Sequence, residues 1–270
     1  MSLDSSYLIG SYFLRAPYFR SLVFKLIVKL LNISYTDFVK YIGRQIGESV
    51  GNGCDLKISC IVTCNDVNRL DFLVEALNSI KSQDYAAMQI LIVHGFGGLE
   101  RKLSERGEYF DSRFVFRQFA STSPSQARNA FLHELEGDVV LFLDDDNIFL
   151  PGYFSELAQW HILHPSVDVG IFRYVLFKEN LLVDVPISRR LTEKVLVRRN
   201  ISDTSAISFK AKSVTTDFWP ISKHHEDWEL LKKCFNSGYK IEINNRFCML
   251  YRVHLSNRST PMSKKRSAKG

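Results

Sequence analysis

The chain has 270 residues, 46% hydrophobic and 24% charged, which excludes fibrous and disordered classes and leaves room for one large core or a domain with an appendage. Its net charge of +6 suits polyanionic company without choosing between nucleic acid, anionic lipid and a phosphorylated substrate. The five cysteines (Cys54, Cys60, Cys64, Cys234, Cys248) are odd in number and form no CxxC pair, so neither a disulfide framework nor a zinc knuckle is indicated, and a reducing cytoplasm is the simplest compartment.

In chain order, the first predicted element is helical and basic. Arg15, Arg20, Lys25 and Lys29 interrupt an apolar set running from Tyr18 to Leu31. Two readings of this segment stay open. It lies in a membrane interface, apolar face toward the acyl boundary and cations near anionic headgroups, or it packs on the body or against another subunit in a homo-oligomer. No signal-peptide order and no apolar run of roughly 18 residues is present, so a spanning segment is not expected. The turn-forming Gly51-Asn52-Gly53 separates a helical extension, residues 1–53, from the body that starts at Cys54.

From there β-rich apolar runs alternate with helical patterns. Strands are predicted at Ile58 to Thr63, Gln89 to Val93, Phe114 to Arg117 and Val139 to Leu143. Helices are predicted at Leu70 to Ser82, Leu99 to Arg106 and Ser125 to Leu135. This alternation implies βαβ units in an α/β fold with a mainly parallel sheet, whose ligands bind beyond the carboxyl ends of the strands.

One such end carries Asp144-Asp145-Asp146 directly after Leu141-Phe142-Leu143. Three adjacent carboxylates beside an apolar strand repel one another, and protons or a cation must relieve the repulsion. Oxygen ligands suit Mg2+ or Mn2+, which complete their shells with water and substrate phosphates. Strand alternation predicts Asp144 and Asp146 on one side and Asp145 on the other. An Asp-rich turn closing the strand explains the same residues without chemistry.

The second half is less periodic. A helix near Gly152 to His164 and strands at Val167 to Phe177 and Ile207 to Lys210 are predicted, with Arg-rich irregular sequence between the strands and the turn-rich Asn200 to Ser205 before the second. A last helix opens at His224-His225-Glu226-Asp227 and closes at Gly238. Acids in a first turn are favoured by the helix dipole, so Glu226 and Asp227 have a structural explanation too. The Ser-rich tail with Lys264-Lys265-Arg266 and Lys269 reads as a basic disordered segment, residues 259–270.

Together, Ile58-Ser59-Cys60-Ile61-Val62-Thr63-Cys64-Asn65, Leu77-Asn78-Ser79-Ile80-Lys81-Ser82-Gln83, Ala127-Arg128-Asn129, Phe142 to Asp146 with Pro151, and Glu226-Asp227 resemble the family 2 glycosyltransferases of the GT-A fold over about residues 57 to 255. The resemblance implies a Rossmann-like mixed, mainly parallel sheet flanked by helices over residues 54–258. It implies inverting transfer of a sugar from a nucleotide-diphosphate donor to a hydroxyl of a glycan or lipid-linked acceptor, as in bacterial surface polysaccharide synthesis at the inner membrane face. Mn2+ or Mg2+ would be held by Asp146 and Asp144, with His254 a further ligand or diphosphate contact. Asp227 would be the base and Glu226 would orient it or the acceptor. Thr63, Asn65, Arg128, Asp144, Asp145 and Arg252 would contact the nucleotide-sugar, with Asp145 directed toward Arg128 or the sugar, and Arg258 is a further phosphate candidate.

One departure is plain. Where the family usually has Asp-Asp-Gly-Ser, this chain reads His94-Gly95-Phe96-Gly97-Gly98, so the usual nucleotide-binding carboxylate is missing. Cys64 also stands where a Tyr is conventional. A nucleotidyltransferase would need a Gly-rich, basic phosphate loop that Thr63-Cys64-Asn65-Asp66 does not supply. A GT-A-like binding scaffold without turnover is the non-enzymatic alternative. Nucleic-acid binding would call for basic and aromatic residues interleaved on one face rather than charge at the two ends.

Overall fold

In a computed structural model of the chain, the described residues are 33–46, 56–120, 123–186, 191–222 and 225–254. The basic segment from Arg15 to Leu31, the turn at Gly51 to Gly53, His224, Arg258 and the tail therefore lie outside the described residues.

Four strands open the body: β1 (Ile58–Cys64), β2 (Met88–His94), β3 (Phe114–Gln118) and β4 (Val139–Asp144). They pair in parallel in the order β3-β2-β1-β4, with Ile58 beside both Met88 and Val139. Every residue of β1 is buried, as expected when helices cover both faces of a parallel sheet. On one face Cys60, Val62, Leu141 and Leu143 pack with Leu73, Leu77 and Ile80 of α2 (Leu70–Lys81), Leu103 of α3 (Leu99–Glu105) and Phe154 of α5 (Tyr153–Leu163). On the other, Ile61, Leu91 and Phe142 pack with Ala127 of α4 (Pro124–Ala130) and Leu230 of α7 (Glu226–Asn236). Each fully buried aliphatic chain contributes about 1.5–3 kcal/mol, so this double-sided core fixes where β1 and β4 end.

The helix predicted from Ser125 to Leu135 is broken. α4 stops at Ala130, Phe131 leaves helical geometry (φ −120°, ψ 11°), and a 3-10 turn follows at Leu132–Glu134. The second half also holds more structure than the periodicity indicates. Beyond β6 (Val169–Lys178) and β8 (Ile207–Lys210), the sheet gains β5 (Ile148–Phe149), β7 (Leu181–Asp184) and the long β9 (Ile241–Arg252), and α6 (Glu193–Arg198) lies within the stretch read as irregular. The sheet continues β4-β8-β6-β9-β5, antiparallel except for β6 with β9, and β7 hangs on β6. Gly238, at φ +77°, ends α7 in the left-handed conformation that glycine adopts without strain.

α1 (Tyr35–Ile46) belongs to the helical extension. Phe38 is 1% exposed, and with Ile33 it joins a third core of Val175, Phe177, Phe247 and Leu250. Leu182 N donates to Ile33 O (2.9 Å) and Tyr35 N to Asn180 O (3.0 Å), tying the helix entrance to the β6-β7 hairpin. The start of this helix is thus packed on the sheet. Among the described residues no helix is long and apolar enough to cross a membrane.

Candidate active site

The carboxyl ends of β1 and β4 open into a cavity of about 530 Å³, walled on the opposite side by the loop before β8 and the start of α7. Thr63, Asn65 and Asp144 to Asp146 line one side, and Asn200, Asp203, Glu226 and Asp227 the other.

β4 ends at Asp144, and Asn147 N donates to Asp144 O (3.1 Å), closing a turn with Asp145 and Asp146 at its centre. Strand alternation therefore does not govern the acids, and the predicted pairing of Asp144 with Asp146 is corrected. Asp145 and Asp146 share one partner, Arg69: its Nη1 lies 2.9 Å from Asp145 Oδ1, and its Nη2 bonds Asp146 Oδ2. Asp144 turns instead to Arg128 (Nη2 to Oδ1, 2.5 Å), so of the two directions expected for Asp145, Arg128 or the sugar, the first is corrected. Burial pushes the Asp145 carboxyl up to about 7, against the pull of Arg69.

Asn147 holds the turn in place. Its Nδ2 donates to Ser205 Oγ (3.0 Å) and Asp203 Oδ1 (3.3 Å), and its Oδ1 accepts from Arg252 N (3.2 Å). Arg252 itself faces inward between Phe72 and Phe177 (4.4 and 4.6 Å to the rings), pairs with Glu75, and donates from Nε to Asp146 O (3.1 Å). It supports the acidic turn from behind and is absent from the cavity lining, unlike the phosphate contact it was expected to be. His254, two residues past the end of β9 and also outside the cavity lining, sits with Nε2 2.9 Å from Asp146 Oδ2.

Arg128 is fully buried, stacks over Trp219 at 4.2 Å, and has Nη1 3.8 Å from Glu226 Oε1. It links the acidic turn of one wall to the start of α7 in the other. Asp227 Oδ2 accepts from Asn200 Nδ2 (2.7 Å) and Oδ1 from Trp228 N (2.8 Å). Burial raises its carboxyl from the ordinary aspartate value even so, the direction that makes a carboxylate a better proton acceptor near neutrality. His225, just before it, adopts φ +59°, a conformation that non-glycine residues hold only where surroundings enforce it.

Three cavity residues escaped the sequence analysis. Asp203 Oδ1 accepts from Ser205 N (3.0 Å), while burial, Asp144 and Asp227 drive the carboxyl well above its ordinary value. Asn200 and Asp203 lie in a run whose Asn, Asp and Ser content signals only turns. Arg69 ends a 3-10 turn (Val67–Arg69) ahead of α2, where no periodicity marks it. At the departure from the family pattern, His94 is 3% exposed with Nδ1 2.7 Å from Phe96 O. A Cβ on Gly95 would stand 2.8 Å from Asn65 Oδ1, so glycine there keeps Asn65 at the cavity rim.

Among the described residues, no three His, Cys, Asp or Glu side chains stand as a ready-made metal cluster. The donor types still fit a hard divalent cation: carboxylates on the turn, and an imidazole nitrogen 2.9 Å from one of them, close to the roughly 3.0 Å between adjacent ligands of an octahedral ion with 2.1 Å bonds.

The family model described as Glycosyl transferase family 2 matches residues 59–223. Among curated proteins, the chain is 28% identical over 141 residues to the uncharacterized glycosyltransferase YwdF of Bacillus subtilis (strain 168), covering 50% of this chain and 49% of that protein. It is 23% identical over 230 residues to glycosyltransferase GlyA of Streptococcus pneumoniae, covering 78% of this chain and 32% of that one. The chain thus spans about half and about a third of these relatives' lengths. Among solved structures, S. aureus TarS 1–349 in complex with UDP-GlcNAc superposes with a TM-score of 0.56 at 18% identity, over 76% of this chain and 62% of that chain. The same protein with UDP gives 0.54 at 19%, over 73% and 61%. This likeness supports the GT-A fold, and with the family model matching more than half of its length, the chain belongs to the family 2 glycosyltransferases.

Proposed function

We propose that residues 54–258 form a catalytic unit that transfers a sugar, with inversion and with help from Mn2+ or Mg2+, from a nucleoside-diphosphate sugar to a hydroxyl of a glycan or lipid-linked acceptor. The observation that carries this reading is the facing of two acidic sets across one cavity, Asp144 to Asp146 at the end of β4 and Asp227 at the start of α7. Inversion requires the leaving group and the attacking hydroxyl on opposite faces of the anomeric carbon, and two chemically distinct walls provide for that.

Asp146 with His254 would hold the cation, which when bound supplies charge stabilisation for the departing diphosphate, while Asp144 stays with Arg128. Thr63 and Asn65 line the rim where the nucleoside would lie, and Asp145, which lines the same cavity, would stand near the sugar. Asp227 takes the proton of the acceptor hydroxyl as that oxygen bonds to the sugar. Asn200 fixes the carboxylate for this task, and Glu226, oriented by Arg128, borders the acceptor side. TarS forms complexes with UDP and with UDP-GlcNAc, which makes uridine-diphosphate sugars the first to try. An acceptor in surface polysaccharide synthesis at the inner membrane face is part of the same proposal. Docking of Phe38 on the sheet favours packing over lipid for the start of α1.

A panel of nucleoside-diphosphate sugars, screened for Mn2+- or Mg2+-dependent binding and hydrolysis, tests the reading. Wild type should bind at least one donor, Asp146→Ala should lose metal-dependent binding, and Asp227→Asn should bind the donor while turnover falls about 10²–10⁴-fold. Binding by no donor, or full turnover by a folded Asp227→Asn, would overturn it.

A further inference from the structure

Arg69 occupies the position that a divalent cation would need. Its Nη2 bonds Asp146 Oδ2 and lies 3.4 Å from His254 Nε2, the same two atoms that stand 2.9 Å apart as prospective ligands. Nη1 at the same time engages Asp145. A guanidinium nitrogen in contact with both atoms leaves no room for a metal between them, and two positive charges a few ångströms apart repel strongly in a partly buried site. Arg69 and the metal are therefore alternatives, each relieving the same carboxylate repulsion.

The side chain has somewhere else to go. It springs from a 3-10 turn at the cavity edge, its side chain is 25% exposed, and it lines the cavity together with Asn65 and Asp66. Its Nε is buried without a hydrogen-bond partner, so the present arrangement uses only part of the guanidinium fork. A planar five-donor group of this kind matches a diphosphate, which the carboxylates cannot satisfy and which arrives with the donor.

From this geometry we infer that Arg69 is a resident counter-cation that makes metal loading depend on the donor. Without nucleotide it neutralises Asp145 and Asp146 and excludes the metal. When the diphosphate enters, Arg69 moves to it, the acids are released, and metal and donor bind as a pair. The coupling is reciprocal by thermodynamic necessity: whatever factor the diphosphate adds to metal affinity, the metal adds to diphosphate affinity. This inference rests on the proposed metal site at Asp146 and His254, and it assigns Arg69 a positioning role.

The test uses the full chain, Mn2+ alone and Mn2+ with UDP, with free Mn2+ followed by its electron paramagnetic resonance signal. Wild type should bind Mn2+ weakly without UDP and at least about tenfold more tightly with it. Arg69→Ala should bind Mn2+ about tenfold more tightly than wild type in the absence of UDP and lose most of the UDP enhancement. Arg69→Lys, which keeps charge without the fork, should fall between and serves if the alanine variant does not fold. Equal or weaker Mn2+ binding by Arg69→Ala overturns the inference while leaving the metal site standing, provided that adding Asp146→Ala abolishes binding. If Asp146→Ala in the Arg69→Ala background leaves Mn2+ binding unchanged, the metal site itself is wrong and the inference falls with it.

Discussion

The two walls of the cavity are made differently. The wall built by β1 and β4 hangs on buried parallel strands whose register is set on both sides, and its acids sit at strand ends. The facing wall is a loop, Asn200 to Ser205, and one helix start, held by side-chain bonds such as Asn200 to Asp227 and Asp203 to Ser205 N. A rigid wall suits the part of a substrate that must be gripped in one geometry. A wall of polar loops can be re-specified without disturbing the core. The comparison implies that substitutions joining the walls should act on stability and chemistry together, that those within the loop wall should act chiefly on chemistry, and that those behind the sheet should act on stability alone.

Arg128 is the sharpest case, because it alone among the described side chains is fully buried while touching both acidic sets through Asp144 and Glu226. Arg128→Ala removes the buried partner of half-exposed Asp144 and of mostly buried Glu226, empties the face of Trp219, and leaves Asp144 beside two other acids. Chemical denaturation should show a loss of about 2–4 kcal/mol, below the full cost of orphaning a buried charge because Asp144 keeps part of its hydration, and turnover at a temperature where the variant is folded should also fall. Unchanged stability would mean that the walls are not coupled through this residue.

Asp203→Asn probes the loop wall from within. Burial first, then Asp144 and Asp227, hold the carboxyl well above its ordinary value. A carboxyl with a raised folded value stabilises most below its unfolded value and loses that contribution as pH rises. The neutral amide keeps the shape without the penalty, so the variant should be more stable than wild type at pH 7, by about 1 kcal/mol, and less active. The stability difference should vanish toward pH 3.5, below the ordinary carboxylate value of about 3.9. Greater stability with full activity would reduce Asp203 to a structural group.

How far the sequence discloses each wall follows from the same contrast. Ile58 to Cys64 and Val139 to Asp144 are nearly unbroken apolar runs, because both of their faces are buried, and such runs locate strand ends to within a residue. The roles of the three aspartates were not legible, since their directions depend on a turn pinned by Asn147 to Ser205 and Arg252, 58 and 105 residues away. Asn200 and Asp203 read as turn chemistry because their functional partners are distant in sequence. β9 went unread for a related reason: its first half, Ile241 to Arg246, is exposed or half-exposed and mixes polar residues, and its pairing with β6 shifts register twice. Asp227 was legible only through the other motifs, for an acid at a helix start has an ordinary explanation.

The effect confined to stability lies behind the sheet, at His161 of α5, and serves as the off-site control. The ring is 2% exposed and bonds through Nε2 to Ser208 Oγ of β8 (3.0 Å), while Nδ1 is buried without a partner. Burial, followed by Lys210 and His164, lowers its pKa to about 4. An unfolded histidine titrates near 6.5, so between those two values the unfolded chain binds the extra proton and stability falls as pH falls. Asp145, whose folded value is raised to about 7, pushes the other way across this range, and the net slope of wild type alone is therefore uninformative. The difference between wild type and His161→Gln isolates the histidine: relative to the variant, wild type should lose about 2 kcal/mol between pH 7 and pH 5, with turnover at pH 7 unaltered. A pH-independent difference would show that the ring titrates in the fold as it does in the unfolded chain, and a drop in turnover at pH 7 would show that the seam between α5 and β8 reaches the active site after all.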